Sequence, residues 1–195
     1  MGDGMRYVQP IRDMDQVQEF MDYLDDTNKR NFIMFMLGIN LGLRISDVLE
    51  LRVKDVRNKM SIKIYEKKTG KYKQMIISDE LRRALKEYTK NMKPYDYLLC
   101  SRKKTSTGGQ KPISRVQAYR IMRETAEAVG YTGDIGTHTM RKTFAYHFYK
   151  QTNDVATLQA LFGHAHQADT LRYIGVEQEK VEAVVNNLFR RRKAK

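Results

Sequence analysis

The sequence predicts a mainly α fold with a small antiparallel β-sheet (α+β), and three observations carry that reading. Apolar residues recur at three- and four-residue spacing over most of the chain. Between Met60 and Ser78 the pattern switches to alternation, and Gly, Asp, Asn or Ser residues punctuate the segments. A length of 195 residues with 41% hydrophobic side chains fits one ordinary domain with a real core.

Asp13 is placed to cap a helix running to about Asp26, in which Val17, Phe20, Met21 and Leu24 share one face. Asn28 to Leu41 carries Phe32, Ile33, Phe35, Met36, Leu37 and Ile39 with few polar positions, so it reads as a central core helix stopped by Gly42. Ser46 is the expected cap of a short helix that turns Ile45, Val48, Leu49 and Leu51 inward, which leaves Arg44 in a turn beside the core. Ile62 and Ile64 alternate with Lys63 and Tyr65, and a second run holds Met75, Ile76 and Ile77. Lys68-Thr69-Gly70-Lys71 lies between them, which predicts a hairpin with a basic tip.

Asp79 to Lys90 returns to helical spacing through Leu81, Leu85 and Tyr88, and Cys100 reads as a buried strand residue after Tyr97-Leu98-Leu99. Arg102 to Lys111 is polar, basic and glycine-containing, the composition of a mobile loop. Ser114-x-x-Gln117 is a capping-box pattern opening a helix to Val129, with Gly130 to stop it. Thr137 is the expected cap of a helix to about Gln151 and Asp154 of a shorter one to Phe162. The remainder reads as helical except near Gly175.

Charge narrows the partner. Against 23 acidic residues stand 36 Lys and Arg, a formal net charge of +13. The excess is segregated, with 5 basic and 9 acidic residues in positions 1 to 50 and 31 basic and 14 acidic in 51 to 195. Such a field attracts phosphate and releases condensed counterions, so the expected partner is nucleic acid. A membrane surface is disfavoured: there is no Trp, no lipidation signal, and the longest apolar stretch, Asn31 to Leu43, is too short to span a bilayer. The sole cysteine excludes an internal disulfide and a cysteine zinc cage. With no basic-then-apolar leader, the expectation is a soluble, intracellular protein.

The residues richest in chemistry are Thr137-His138-Thr139-Met140-Arg141-Lys142-Thr143-Phe144-Ala145, then Phe162-Gly163-His164, then Tyr173. On a helix His138 and Arg141 share a face, pairing an imidazole that moves protons near neutrality with a guanidinium fork that suits phosphate oxygens. His164 and His166 lie close in sequence, but nothing nearby completes a metal ligand set, and His147 and His166 read as structural or solvent-facing. No metal or other cofactor is expected.

Taken in order, Arg44, Lys68, His138-x-x-Arg141, His164 and Tyr173 resemble the signature of the tyrosine recombinases, the family of phage and conjugative-transposon integrases and Xer-type resolvases. Gly42-Leu43-Arg44-Ile45-Ser46-Asp47 is similar to the family's arginine turn, Lys68-Thr69-Gly70 to its hairpin lysine, and Tyr173 follows His164 by the family's nine residues. Met140 stands where the family usually has Leu, Lys142 where it commonly has a second His, and Phe162 where Leu precedes Gly-His. The resemblance covers about residues 10 to 190. It implies a catalytic domain over that span, with residues 1 to 9 an extension, 191 to 195 a basic tail, and the family's usual N-terminal core-binding domain absent.

The resemblance implies site-specific cleavage and rejoining of double-stranded DNA, independent of metal and ATP. Tyr173 would attack a backbone phosphorus and leave a 3′-phosphotyrosyl link and a free 5′-hydroxyl. Arg44 and Arg141 would hold the charge that grows on the phosphate, with His164 a third donor and Asp47 a supporting carboxylate. Lys68 would protonate the 5′-oxygen, and His138 would assist deprotonation of the phenol. Lys67 and Lys71 flank Lys68 and are its rivals for that role. Together with Arg102, Lys103, Lys104, Arg115, Gln117, Arg120, Arg123 and Lys142 they are the candidates for contacting DNA. The expected assembly is a homotetramer on DNA, with accessory DNA-bending proteins among its possible partners. The apolar stripe Val181, Val184, Val185, Leu188 and Phe189 is available for packing within the domain or onto a neighbouring protomer. Two other readings use similar parts: a type IB topoisomerase that relaxes DNA, and a catalytically inactive DNA-binding regulator.

Overall fold

The computed structural model describes residues 8–66 and 71–176 together with helical positions 184, 185 and 188. The described elements run α1 (Met14–Thr27), α2 (Lys29–Leu41), α3 (Ile45–Glu50), α4 (Val53–Val56), β1 (Ser61–Glu66), β2 (Lys71–Ile76), α5 (Asp79–Tyr88), α6 (Arg115–Ala128), α7 (Thr137–Thr152), α8 (Val155–Phe162) and α9 (Gln167–Ile174). This is the helical fold with one small antiparallel sheet that the periodicity predicts. The chain divides into two compact units at Phe144/Ala145, a boundary inside α7 that nothing in the sequence pattern marks.

In the first unit, α1 and α2 pack through Phe20 and Phe35, whose rings stack with centroids 5.5 Å apart, and Tyr131 meets Phe20 edge-on at 5.6 Å. Local chemistry sets the helix ends. Asp13 caps α1 by accepting from the Asp15 N–H, and Asn28 caps α2 by accepting from Asn31. Gly42 closes α2 with φ 58°, a left-handed conformation that side-chain-bearing residues rarely adopt. The exposed side of α1 carries Asp15, Glu19, Asp22 and Asp26, so much of the negative charge of the N-terminal segment sits on one helix surface.

The hairpin pairs Ile62 with Met75 and Tyr65 with Tyr72. Ile62 and Met75 are buried, while Tyr65 and Tyr72 are exposed with ring centroids 5.2 Å apart. Its basic tip, with Lys67 and Lys68, lies outside the described residues, as do Val181, Phe189 and the basic tail. Val184, Val185 and Leu188 are helical and exposed.

Three local expectations are corrected. Ser46 is not the cap of α3: Arg44 holds that position in extended backbone (φ −67°, ψ 143°), and Ser46 is already inside the first turn. Thr137 is likewise the first helical residue of α7; the hydroxyl of Thr139 reaches back to accept from the Gly136 N–H at 3.1 Å. Cys100 is half-buried and forms an isolated bridge with Pro112 rather than part of a strand. The loop after it contains a turn of its own, in which the Thr105 N–H donates to the Gly109 carbonyl at 2.8 Å.

α7 packs tightly against the C-terminal half of α2. A Cβ built on Gly38 would stand 2.6 Å from the Met140 Cβ, and one on Gly42 would stand 2.3 Å from Phe144 Cδ1. Two glycines one turn apart thus form a notch that receives two α7 side chains with the same spacing. A Gly38→Ala change ordinarily gains about 1 kcal/mol of helix propensity. Here the new methyl meets a Cβ that no rotamer change can move, and overpacking of roughly 1–3 kcal/mol opposes that gain. Gly38→Ala is therefore expected to destabilise the protein in urea unfolding, and Gly42→Ala to do so more strongly because left-handed backbone strain is added. Unchanged midpoints in both variants would refute this account of the notch.

Candidate active site

The first unit brings together three of the residues singled out by sequence, and the α2–α7 notch is what positions them. Arg141 lies on α7 between Met140 and Phe144 and is 7% exposed. Its Nη1 donates to the carbonyl of Gly42, the residue that ends α2. Two residues further on, Arg44 occupies the N-cap position of α3, and its side chain is exposed. One turn before Arg141, His138 reaches the surface.

His138 reports on the neighbourhood. Partial burial lowers its pKa below the ordinary 6.5, and the positive charges of Arg141, Lys142 and Arg44 lower it further. These four side chains therefore share one electropositive site. Such a site attracts an anion, and two guanidinium groups with a neutral imidazole offer the planar donors and the proton acceptor that phosphoryl chemistry uses. Asp47 sits half-buried in the first turn of α3, where its carboxylate accepts from Ser46 Oγ at 3.4 Å.

The second unit brings together two more, His164 and Tyr173. Gly163, with φ 68°, ends α8 and turns the chain into His164. Gln159 braces that turn: its Nε2 donates to the carbonyls of His164 at 3.2 Å and Ala165 at 2.9 Å. The His164 and Tyr173 rings meet edge-on at 5.5 Å, and Phe162 meets each of them at 5.6 Å. His164 Nδ1 lies 2.9 Å from the hydroxyl of Thr170, which is fully buried one turn before Tyr173 on α9. Neither Gln159 nor Thr170 stands out in the sequence. Each acts across a tight turn, and hydrophobic periodicity carries no trace of such contacts.

Most of the DNA-contact candidates are at the surface. Arg102, Lys103 and Lys104 are exposed on the loop, Arg115, Arg120 and Arg123 are exposed on α6, and Gln117 is half-buried beside them. Lys71 opens β2. Lys142 differs: it is only 6% exposed, and burial, then the charge of Arg12, lowers its pKa. Its place is inside the protein beneath the His138 site, because α7 is buried at consecutive positions from Thr139 to Thr143. His166 is exposed at the start of α9 and His147 is half-buried against the Tyr146 ring. Among the described residues no group of three His, Cys, Asp or Glu is placed to hold a metal ion, and no helix is long and apolar enough to cross a membrane.

A depressed His pKa has a definite sign. The unfolded chain binds the proton more readily, so this group's contribution to stability is present above pH 6.5 and is lost as the pH falls below it. By NMR titration, His138 is expected to titrate below 6.5, and Lys142→Met is expected to move it upward by removing one of the neighbouring positive charges. A His138 pKa that stays put in the Lys142 variant would remove Lys142 from the site's electrostatics.

The Phage integrase family pattern matches residues 12–180. The probable integrase/recombinase YoeC of Bacillus subtilis (strain 168) is 48% identical over 179 residues, covering 92% of this chain and 96% of that protein. Tyrosine recombinase XerC of Staphylococcus epidermidis (strain RP62A) is 25% identical over 92% of this chain, which spans 61% of its length. A tyrosine recombinase of Pseudothermotoga lettingae is 29% identical, and the chain spans 57% of it. Among solved structures, XerA recombinase superposes with a TM-score of 0.71 at 18% identity, covering 98% of this chain and 67% of that one. XerH recombinase in a post-cleavage complex with its palindromic difH substrate gives 0.72 at 20% identity, covering 96% and 55%. The helical scaffold is thus the recombinase catalytic fold, and the chain belongs to the phage integrase family of tyrosine recombinases.

Proposed function

We propose that this chain cleaves and rejoins duplex DNA at specific sites through a 3′-phosphotyrosyl intermediate, without metal or nucleotide. The observation that carries the reading is the electropositive site formed by Arg44, Arg141 and His138, with Arg141 fixed by the Gly42 carbonyl. A fixed guanidinium needs little reorganisation when charge develops on a phosphate. Several structural neighbours are recombinases or integrases bound to DNA, which supports DNA as the substrate.

In the proposed reaction the Tyr173 oxygen forms a bond to phosphorus as the phosphorus–O5′ bond breaks. The phenolic proton passes toward His138, whose lowered pKa keeps the ring neutral and able to accept it. Lys68, or one of its neighbours Lys67 and Lys71, supplies a proton to the departing 5′-oxygen. Arg44, Arg141 and His164 donate to the non-bridging oxygens, and Asp47 supports Arg44. Attack by a 5′-hydroxyl on the phosphotyrosyl bond reverses each step, so the energy of the broken bond is kept and no nucleotide is needed. Arg102, Lys103, Lys104, Arg115, Gln117, Arg120 and Arg123 contact the duplex around the cut. Four protomers act together on paired sites, in the cytoplasm at the nucleoid.

Two experiments test the reading. Tyr173→Phe is expected to shift DNA in a gel yet leave no protein covalently bound to a nicked suicide substrate; an undiminished adduct would exclude Tyr173 as nucleophile. Arg44→Ala is expected to lower the cleavage rate at saturating DNA by roughly 10²–10³-fold. If it weakens binding alone, Arg44 belongs to a passive phosphate contact. Exchange that requires paired sites separates a recombinase from a topoisomerase, which relaxes supercoils on single sites.

A further inference from the structure

The Thr170 hydroxyl is fully buried and lies 2.9 Å from His164 Nδ1, on the helix that carries Tyr173. A neutral imidazole bears its proton on one nitrogen only, and the partner of the other nitrogen decides which. If His164 is to donate to a phosphate oxygen through Nε2, as the proposed function requires, Nδ1 must accept while the ring is neutral. A hydroxyl can donate to Nδ1 in that state and turn to accept from Nδ1–H when the ring is protonated, so Nε2–H persists in both. An aliphatic side chain in the same place can do neither.

Two aromatic rings pack against the imidazole. Phe162 meets it edge-on at 5.6 Å and has no hydrogen-bonding atom, and Tyr173 meets it at 5.5 Å between centroids. Gln159 holds the backbone of His164 and directs its amide to carbonyls. The Thr170 hydroxyl is the group that stands within hydrogen-bond distance of Nδ1 itself.

We propose that Thr170 is a positioning residue that locks His164 in the Nε2–H form and so presents a constant hydrogen-bond donor to the scissile phosphate. The inference rests on the reading of His164 as a phosphate donor. It goes further by naming the atom that donates and the residue that makes it do so.

The test uses the full 195-residue chain with ¹⁵N-labelled histidine. Ring nitrogen shifts of neutral His164 are expected to show the Nε2–H tautomer in the parent and in Thr170→Ser, and a shift toward Nδ1–H in Thr170→Val. In single-turnover cleavage of a suicide substrate, Thr170→Val is expected to lose about tenfold or more in rate at saturating DNA. Affinity is expected to hold, and Thr170→Ser is expected to restore most of the rate. A dominant Nδ1–H form in the parent chain overturns the proposal without any variant, and so does an unshifted tautomer in a folded Thr170→Val. A shifted tautomer with unchanged cleavage overturns the phosphate role of His164 instead, and with it the functional half of the proposal.

Discussion

The interlock of Gly38 and Gly42 with Met140 and Phe144 is the constraint on which the first unit depends. It brings the α7 backbone so close to α2 that no methyl group fits between them. That approach lets the Arg141 guanidinium reach the Gly42 carbonyl, and Gly42 in turn fixes where the chain leaves α2 and where Arg44 begins α3. One packing decision therefore sets the spacing of two guanidinium groups that come from distant parts of the sequence.

Electrostatics and packing work against each other at this site. Bringing like charges together and partly burying them costs free energy, and the lowered pKa values of His138 and Lys142 are signs of that cost. The scaffold offsets it with buried apolar surface on both sides of α7, including Met140 and Ala145, and with hydrogen bonds that tie the N-terminal segment down, such as Ile11 N–H to the Thr143 hydroxyl at 2.9 Å. An anion that neutralises the cluster stabilises the folded chain by linkage, since it binds only when the cluster is assembled.

Much of this was legible in the sequence because the determinants are local. Asp13, Asn28, Ser114 and Asp154 cap helices through bonds that span two or three residues, and Gly42, Gly130 and Gly163 stop them through backbone conformation. Ser46 and Thr137 misled because a hydroxyl near a helix start has the right chemistry whether it stands at the cap or one or two positions inside. Lys142 misled for a different reason: a lysine reads as surface, but α7 is buried at consecutive positions, which no amphipathic pattern announces. The Thr170–His164 contact and the glycine notch were invisible because both depend on tertiary approach, and sequence spacing alone encodes neither.

The acidic surface of α1 gains meaning beside the basic groups of the same unit. Asp15, Glu19, Asp22 and Asp26 are exposed on that helix, while Arg102, Lys103, Lys104 and the arginines of α6 are exposed elsewhere on the unit. In the field of a polyanion these oppositely charged surfaces experience opposite forces, and the result is a torque as well as an attraction. Under the proposed function, a unit with this charge pattern is turned as it approaches DNA so that its carboxylates trail. Fewer of its encounters then begin in the wrong orientation, and because the Debye length shrinks with salt, that guidance fades as ionic strength rises.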